Sequence, residues 1–376
     1  MINQDRIVKE FIELVQVDSE TKYEGEISKV LTKKFTDLGV SVYEDDAAAK
    51  TGHGAGNLIC TWPASDPSVQ APVILFTCHM DTVTPGKNIK PQIDENGIIR
   101  SDGTTILGSD DKAGIAALFE AIKVIKENNL PHGKIQFVIT VGEESGLIGA
   151  RAMDASLLEA EFGFALDSNG VIGAIAVAAP SRAEVNMKFY GKTAHAGVNP
   201  EDGISAIQIA AKAVARMPLG RVDKETTANI GSFSGSGALN VVCDYAHLRA
   251  EARSIVQDKL LAQVEAMKQA CESAVQEFGG KCEFTSDIAY PAFMFDDSAP
   301  VVQLAKRVLE KNGCTPSTFH SGGGSDANIF NQMGVPTVNL AVGYKEIHTT
   351  NEHIAIKDLM KVAEVVVGIV KEVQQS

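Results

Sequence analysis

Four short stretches of this chain are apolar almost without a break: NLICTW at 57–62, PVILFTC at 72–78, KIQFVITV at 134–141 and FGFALD at 162–167. A strand with one wet face alternates polar and apolar residues, because successive side chains point to opposite faces. Unbroken apolar runs therefore suit strands covered on both faces, as in a largely parallel sheet between helices. Between two of the runs, KAGIAALFEAIKVIKENN at 112–129 spaces its apolar residues for an amphipathic helix, and 4–16 and 25–38 share that spacing. Strands separated by helices of this length predict an α/β unit.

The pattern changes near residue 180. RAEVNMKFYG and NVVCDYAHLRAEARS alternate polar with apolar, the mark of strands with one solvated face, and helical patterns at about 200–216 and 256–277 accompany them. The first texture then returns, with a helix near 298–312, the strand PTVNLAVG and a terminal helix over 356–373. The expected organisation is one domain built from 1–180 and 291–376, with an α+β domain over 181–290 inserted into it. A length of 376 residues fits, since single cores stop growing beyond roughly 250–300 residues.

Charge and cysteine usage narrow the function. Lys plus Arg total 34 against 48 Asp plus Glu, a net charge of −14. Nucleic acid and anionic membrane both call for a basic face, so neither is expected as a partner. No apolar run reaches membrane-spanning length, and the N-terminal MINQDRIVKEF lacks a signal-peptide core. The six cysteines are scattered without a CxxC pair, which suits free thiols in a reducing cytoplasm.

In open α/β sheets, ligands bind beyond the carboxyl ends of the strands. Those ends carry His79 and Asp81, then Glu143 and Glu144, then Asp167, and after a short loop His348; Asp110 and Asp111 stand just before the 112–129 helix. Carboxylates crowded on one rim repel unless a cation compensates them. Two histidines among carboxylates suit zinc, manganese or cobalt, whereas calcium prefers oxygen alone. A hydrolytic pair of ions, roughly 3.5–4 Å apart, needs one ligand that bridges both. Strand alternation sends His79 and Asp81 to one side and Cys78 and Met80 to the other, so the Asp81 carboxylate is expected on the second nitrogen of His79.

Plainer readings exist for each motif. Asp110 and Asp111 suit a helix N-cap, Glu143 and Glu144 a solvated turn, and Asp167 before SNG a turn. The glycines of HSGGGSDAN at 320–328 suit an anion cradle, but no GxxxxGK[ST] pattern supports a nucleotide site.

Taken in order, HMD after an apolar strand, GSDDKAG, GEESG, LDSNG, GGGSDAN and IHTTNEH resemble the co-catalytic di-zinc metallopeptidases of the peptidase T, or tripeptidase, type, over nearly the full length. The resemblance implies a zinc-aminopeptidase-like catalytic domain, its mostly parallel sheet lying between helices, with an inserted α+β lid and dimerisation domain. It also implies two divalent ions per subunit, zinc first, with cobalt or manganese as alternatives. Asp110 would bridge them, His79 and Asp167 would complete one site, and Glu144 and His348 the other. Glu143 would be the general base, Asp81 the support of His79, and the Asp110–Asp111 peptide would be cis.

In the inserted domain the resemblance implies that His195 reaches the substrate carbonyl, Asn240 contacts substrate and Arg253 holds its carboxylate. The plainer reading of Arg253 is a charge on the wet face of a strand. Gly323, Gly324 and Ser325 would offer main-chain contacts. The implied partners are a short peptide and a second copy of the chain, joined through the inserted domain. Aspartate rather than glutamate at 167 resembles the aminopeptidase- and dipeptidase-like relatives more than the deacylases and carboxypeptidases, which implies a peptidase. The competing functions are an N-acyl amino-acid amidohydrolase using the same centre, and a non-catalytic metal- or peptide-binding protein.

Overall fold

The computed structural model describes residues 1–374. The chain forms two compact units, one from Met1–Ala178, Phe295–Ser321 and the residues from Ser325 onward, the other from Ala179–Met294 with Gly322–Gly324.

The first unit is built on a mixed sheet. Its strands run in the order Ser41–Glu44, Leu58–Trp62, Ile135–Thr140, Ile74–His79, Phe162–Ser168, Thr337–Ala341 and Ala174–Ala179, with Ser317–His320 paired to the last. The four from Ile135–Thr140 to Thr337–Ala341 are parallel to one another. Leu58–Trp62, Ser41–Glu44 and the Thr337–Ala341 pairing with Ala174–Ala179 are antiparallel. The centre is thus parallel as expected and the flanks are not. Burial on both faces does not depend on strand direction, so NLICTW reads like its parallel neighbours.

One face of this sheet carries an aromatic ladder. Phe76 stands opposite Phe137 on one side and Phe164 on the other, with ring centroids 6.1 Å and 5.9 Å away. Phe35 of the helix Gly25–Asp37 and Phe119 of the helix Ser109–Glu127, 4.7 Å apart, close over it. On the other face, Ile59, Leu75 and Val138 pack with Phe330, Met153 and Val335.

The helix Ser109–Glu127 departs from the amphipathic expectation: every residue from Ser109 to Ile122 is buried. It is enclosed by the sheet below and by the helices Gln4–Val15 and Ile356–Val373 alongside. Its polar residues survive burial because they are paired. Glu120 accepts from Arg6 Nε at 2.6 Å and from the Asn3 backbone N–H at 2.8 Å, and Lys123 meets Glu10 at 2.7 Å. Gly114 sets the height of this helix. A Cβ there would lie 2.8 Å from Cys78 Sγ and the Leu166 carbonyl oxygen, and 2.6 Å from Asp111 Oδ1.

The second unit holds a five-stranded antiparallel sheet, in the order Gly220–Arg221, Thr226–Ser234, Tyr245–Ser254, Ser181–Tyr190 and Lys281–Tyr290. Ala183, Val185, Met187 and Phe189 are buried with residues of the helices Ala206–Arg216 and Gln257–Phe278, while the intervening Arg182, Glu184, Asn186 and Lys188 are partly or fully exposed. The first of these helices starts later than its apolar pattern, because Pro200–Asp202 form a separate 3-10 turn and Ser205 caps the helix at the Gln208 N–H. Among the described residues, no helix is long and apolar enough to cross a membrane.

Replacing Gly114 with alanine forces a methyl group into occupied space, and overpacking of this kind costs roughly 1–3 kcal/mol. Equilibrium urea unfolding of the metal-free Gly114→Ala protein should show a lowered midpoint; an unchanged midpoint would mean that helix and sheet can part without loss.

Candidate metal centre

The four central strands are parallel, so their carboxyl ends share one edge of the sheet. His79 is the last residue of Ile74–His79, and Asp167 the penultimate residue of Phe162–Ser168. Glu143 and Glu144 follow Ile135–Thr140 after a turn at Gly142, whose φ of 60° is left-handed. His348 lies on the loop after Thr337–Ala341, itself at φ 62°. Asp110 enters from the start of the Ser109–Glu127 helix. Its φ/ψ of −83° and 102° are not helical, and the Asp110–Asp111 peptide is cis, as the resemblance implies.

The Asp110 carboxylate divides its two oxygens between two imidazoles. Oδ1 lies 3.1 Å from His79 Nε2, and Oδ2 lies 3.3 Å from His348 Nε2. Asp167 Oδ1 stands 3.6 Å from His79 Nε2, and Glu144 Oε1 stands 3.0 Å from His348 Nε2. Donor atoms of His79, Asp110 and Glu144 lie within 4.8 Å of one another, as do those of His79, Asp111 and Asp167. Neither Asp110 nor Asp111 provides a side-chain cap for the helix, whose N-cap residue is Gly108.

Several supports were not legible beforehand. Asp111, expected at this rim but without a partner named for it, accepts from the His79 backbone N–H at 3.3 Å. Asn339 pairs with both backbone groups of Asp167 at 2.9 Å, and the buried Tyr344 hydroxyl donates to Asp167 Oδ1 at 3.3 Å. Asp326, inside the GGGSDAN motif, accepts from Thr140 Oγ1. An asparagine in an apolar strand is the one signal Asn339 offers, and Tyr344 stands in no motif.

Asp81 is arranged differently from the expectation. His79 Nδ1 makes its shorter contact, 2.9 Å, with the Asp81 backbone carbonyl, while the carboxylate oxygen is 3.5 Å away. That carboxylate accepts instead from the backbone N–H groups of Glu143 and Glu144, at 3.0 Å and 3.2 Å. The fully buried side chain thus meets two otherwise orphaned amides, a stronger demand than a second bond to an imidazole already served by a carbonyl.

His195, Asn240 and Arg253 belong to the second unit. His195 and Asn240 are exposed on neighbouring segments, joined by Ala196 N–H donating to the Asn240 carbonyl at 2.9 Å. Arg253 is half-buried and binds both carboxylate oxygens of Glu251, through Nε at 2.8 Å and a terminal nitrogen at 3.0 Å. Gly324 packs so tightly on Tyr290 that a Cβ would lie 2.4 Å from the ring. Ser325 is the N-cap of Asp326–Gln332 in a capping box with Asn328.

A profile of the peptidase family M20/M25/M40 matches residues 75–372. The chain belongs to this family. It is 57% identical over 372 residues, 99% of both sequences, to the uncharacterized protein YqjE of Bacillus subtilis. Two solved structures are similar throughout. The aminopeptidase PepT from Bacillus cereus has 61% identity and a TM-score of 0.91, covering 99% of each chain. A tripeptidase from Staphylococcus aureus has 49% identity and a TM-score of 0.96, covering 100% of each.

The electrostatics follow from this crowding. Burial pushes the Glu143 carboxyl well above the usual range, and the nearby Asp167 charge pushes it further. Burial likewise raises Asp167 to about 7, against the pull of His79. For Asp110 burial acts in the same sense, but hydrogen bonds from His348 and His79 outweigh it and hold the group low. Those contacts raise His348 to about 10, through Asp110 and then Glu144. Burial would lower His79, yet Asp110, Asp167 and Asp81 carry it well above its ordinary value. The pocket attracts positive charge and, without metal, gathers it as protons. Imidazole nitrogen and carboxylate oxygen sharing one aspartate fit a pair of borderline divalent cations.

A ligand imidazole or carboxyl must be deprotonated to bind metal. With His348 at about 10 and Asp167 at about 7, loading metal at neutral pH should release protons. Affinity should accordingly rise between about pH 6 and pH 9. Calorimetric zinc titrations of metal-stripped protein, run in buffers of different ionisation enthalpy, would measure this; binding without net proton release would contradict it.

Proposed function

We propose that this chain is a metal-dependent peptidase of the cytoplasm that releases the N-terminal residue from tripeptides. The single observation that carries the reading is the Asp110 carboxylate, with one oxygen toward His79 and the other toward His348. Asp110 would be the shared ligand of two divalent ions, zinc first, with cobalt or manganese also suited. His79 and Asp167 would complete one position, and Glu144 and His348 the other. Ions bound there supply Lewis acidity and make a coordinated water acidic enough to ionise near neutral pH.

The chain's own groups handle the proton and the substrate. Glu143 takes the proton from the attacking water and returns it to the leaving amine. Its high proton affinity suits that exchange, and its backbone is held by Asp81. His195 donates to the oxyanion that develops on the scissile carbonyl. Asn240 and Arg253 hold the substrate, Arg253 at its carboxylate, and Gly323, Gly324 and Ser325 contribute main-chain contacts. The unit Ala179–Met294 serves as lid and as the contact for a second copy.

The aminopeptidase and tripeptidase named among the similar structures support a peptidase over an N-acyl amino-acid amidohydrolase, as does aspartate at 167. A non-catalytic binder would have no use for Glu143 beside the ligands.

Metal-stripped protein reloaded with zinc, cobalt or manganese should cleave a free-amino tripeptide and leave its N-acetylated form intact. Cleavage of N-acyl amino acids instead would transfer the function to deacylation. Glu143→Ala should bind two metal equivalents and lose at least about 100-fold in kcat. Near-wild-type turnover in that variant would remove Glu143 as the base. His348→Ala should lose one metal equivalent by elemental analysis.

A further inference from the structure

We propose that Glu352 is a positioning residue for the metal centre, one that ties the backbone carrying Asp110 to the loop carrying His348. The inference rests on the reading of Asp110 and His348 as ligands.

Glu352 is 1% exposed, and four donors from one short segment converge on it. Oε2 accepts from the backbone N–H groups of Leu107 and Gly108 at 2.8 Å and 2.9 Å. Oε1 accepts from Ser109 Oγ at 2.6 Å and from the Asp110 backbone N–H at 3.1 Å. Gly108, at φ 75°, turns the segment so that these groups point inward. A carboxylate is the one side chain with acceptor capacity for four donors and no donor of its own. The last of the four bonds is made by Asp110 itself, one residue's backbone away from the carboxylate that faces both imidazoles.

The other end of the tether matters equally. Glu352 follows His348 by four positions, on a turn braced by Thr349 Oγ1 donating to the Glu346 carbonyl at 2.6 Å and by Glu352 N–H donating to the Thr349 carbonyl at 3.2 Å. Asp110 and His348 come from segments far apart in sequence and on different elements. Glu352 joins those segments through the backbone and the Ser109 hydroxyl, and its four bonds leave both imidazoles and the Asp110 carboxylate free for one another. It therefore sets the spacing between the Asp110 and His348 side chains from behind, where it cannot itself act on substrate.

The test uses the full-length protein, stripped of metal and titrated with zinc against a chromophoric chelator. Glu352→Gln keeps the shape but replaces one acceptor oxygen with an amino group that opposes the donors. It should bind zinc about 10–100-fold more weakly, with the equivalent completed by His348 the more affected. Excess zinc should restore kcat, because the reacting groups are untouched. Ser109→Ala, which removes one of the four bonds, should weaken the same equivalent by less, and it decides the matter if Glu352→Gln does not fold. Wild-type affinity at both positions in the folded variants would overturn the proposal, as would a loss of thermal stability with metal affinity unchanged. His348→Ala separates the two levels. If it loses one equivalent while Glu352→Gln and Ser109→Ala bind zinc with wild-type affinity, the tether fails alone; if it loses none, the ligand reading beneath it fails.

Discussion

Mutual repulsion among buried carboxylates is the constraint on which this structure turns. Asp110, Asp111, Glu143, Glu144 and Asp167 converge on one place, burial pushes all five toward the protonated state, and four of them end above their ordinary values. Asp110 escapes because two imidazoles address it, one at each oxygen. That division organises the centre. Each histidine contacts the shared aspartate and a further carboxylate, Asp167 for His79 and Glu144 for His348. An arrangement so rich in anionic oxygen is stable when positive charge occupies it, which ties the chemistry of the site to its assembly.

The scaffold meets that constraint by bringing rigid backbone to one place. Four parallel strands deliver their ends to a common edge, and a helix without an exposed turn along Ser109–Ile122 delivers Asp110 across them. The close approach at Gly114 and the phenylalanine ladder beneath hold helix and sheet at a fixed height. The backbone of Asp167 is locked by Asn339, and its carboxylate is addressed by Tyr344. Placement is thus assigned to packed elements, and only His348, exposed on its loop, depends on a longer connection.

Much of the sheet and the polar strand ends could be read in the sequence, because burial on two faces leaves an unbroken apolar run and a polar residue at its end stands out. His79, Glu143 and Asp167 were visible in this way. Strand direction was not, since apolarity is blind to it, and the buried character of the Ser109–Glu127 helix was masked by Glu120 and Lys123, whose partners Arg6 and Glu10 lie more than a hundred residues away. Asn339 and Tyr344 were hidden for the same reason: each looks ordinary in its own stretch of chain and acquires meaning from Asp167, which only the fold brings near.

Asp81 carries a consequence for how variation in this centre is to be interpreted. Its shorter contact to His79 is made by the main chain, whereas its carboxylate, 3.5 Å from the imidazole, accepts from the amides of Glu143 and Glu144. A change of side chain at 81 leaves the carbonyl contact available to the imidazole and removes the acceptor that holds the Glu143 and Glu144 amides. A substitution at Asp81 is, in effect, an edit to the geometry of Glu143 made from the neighbouring strand, with the carbonyl contact to His79 retained.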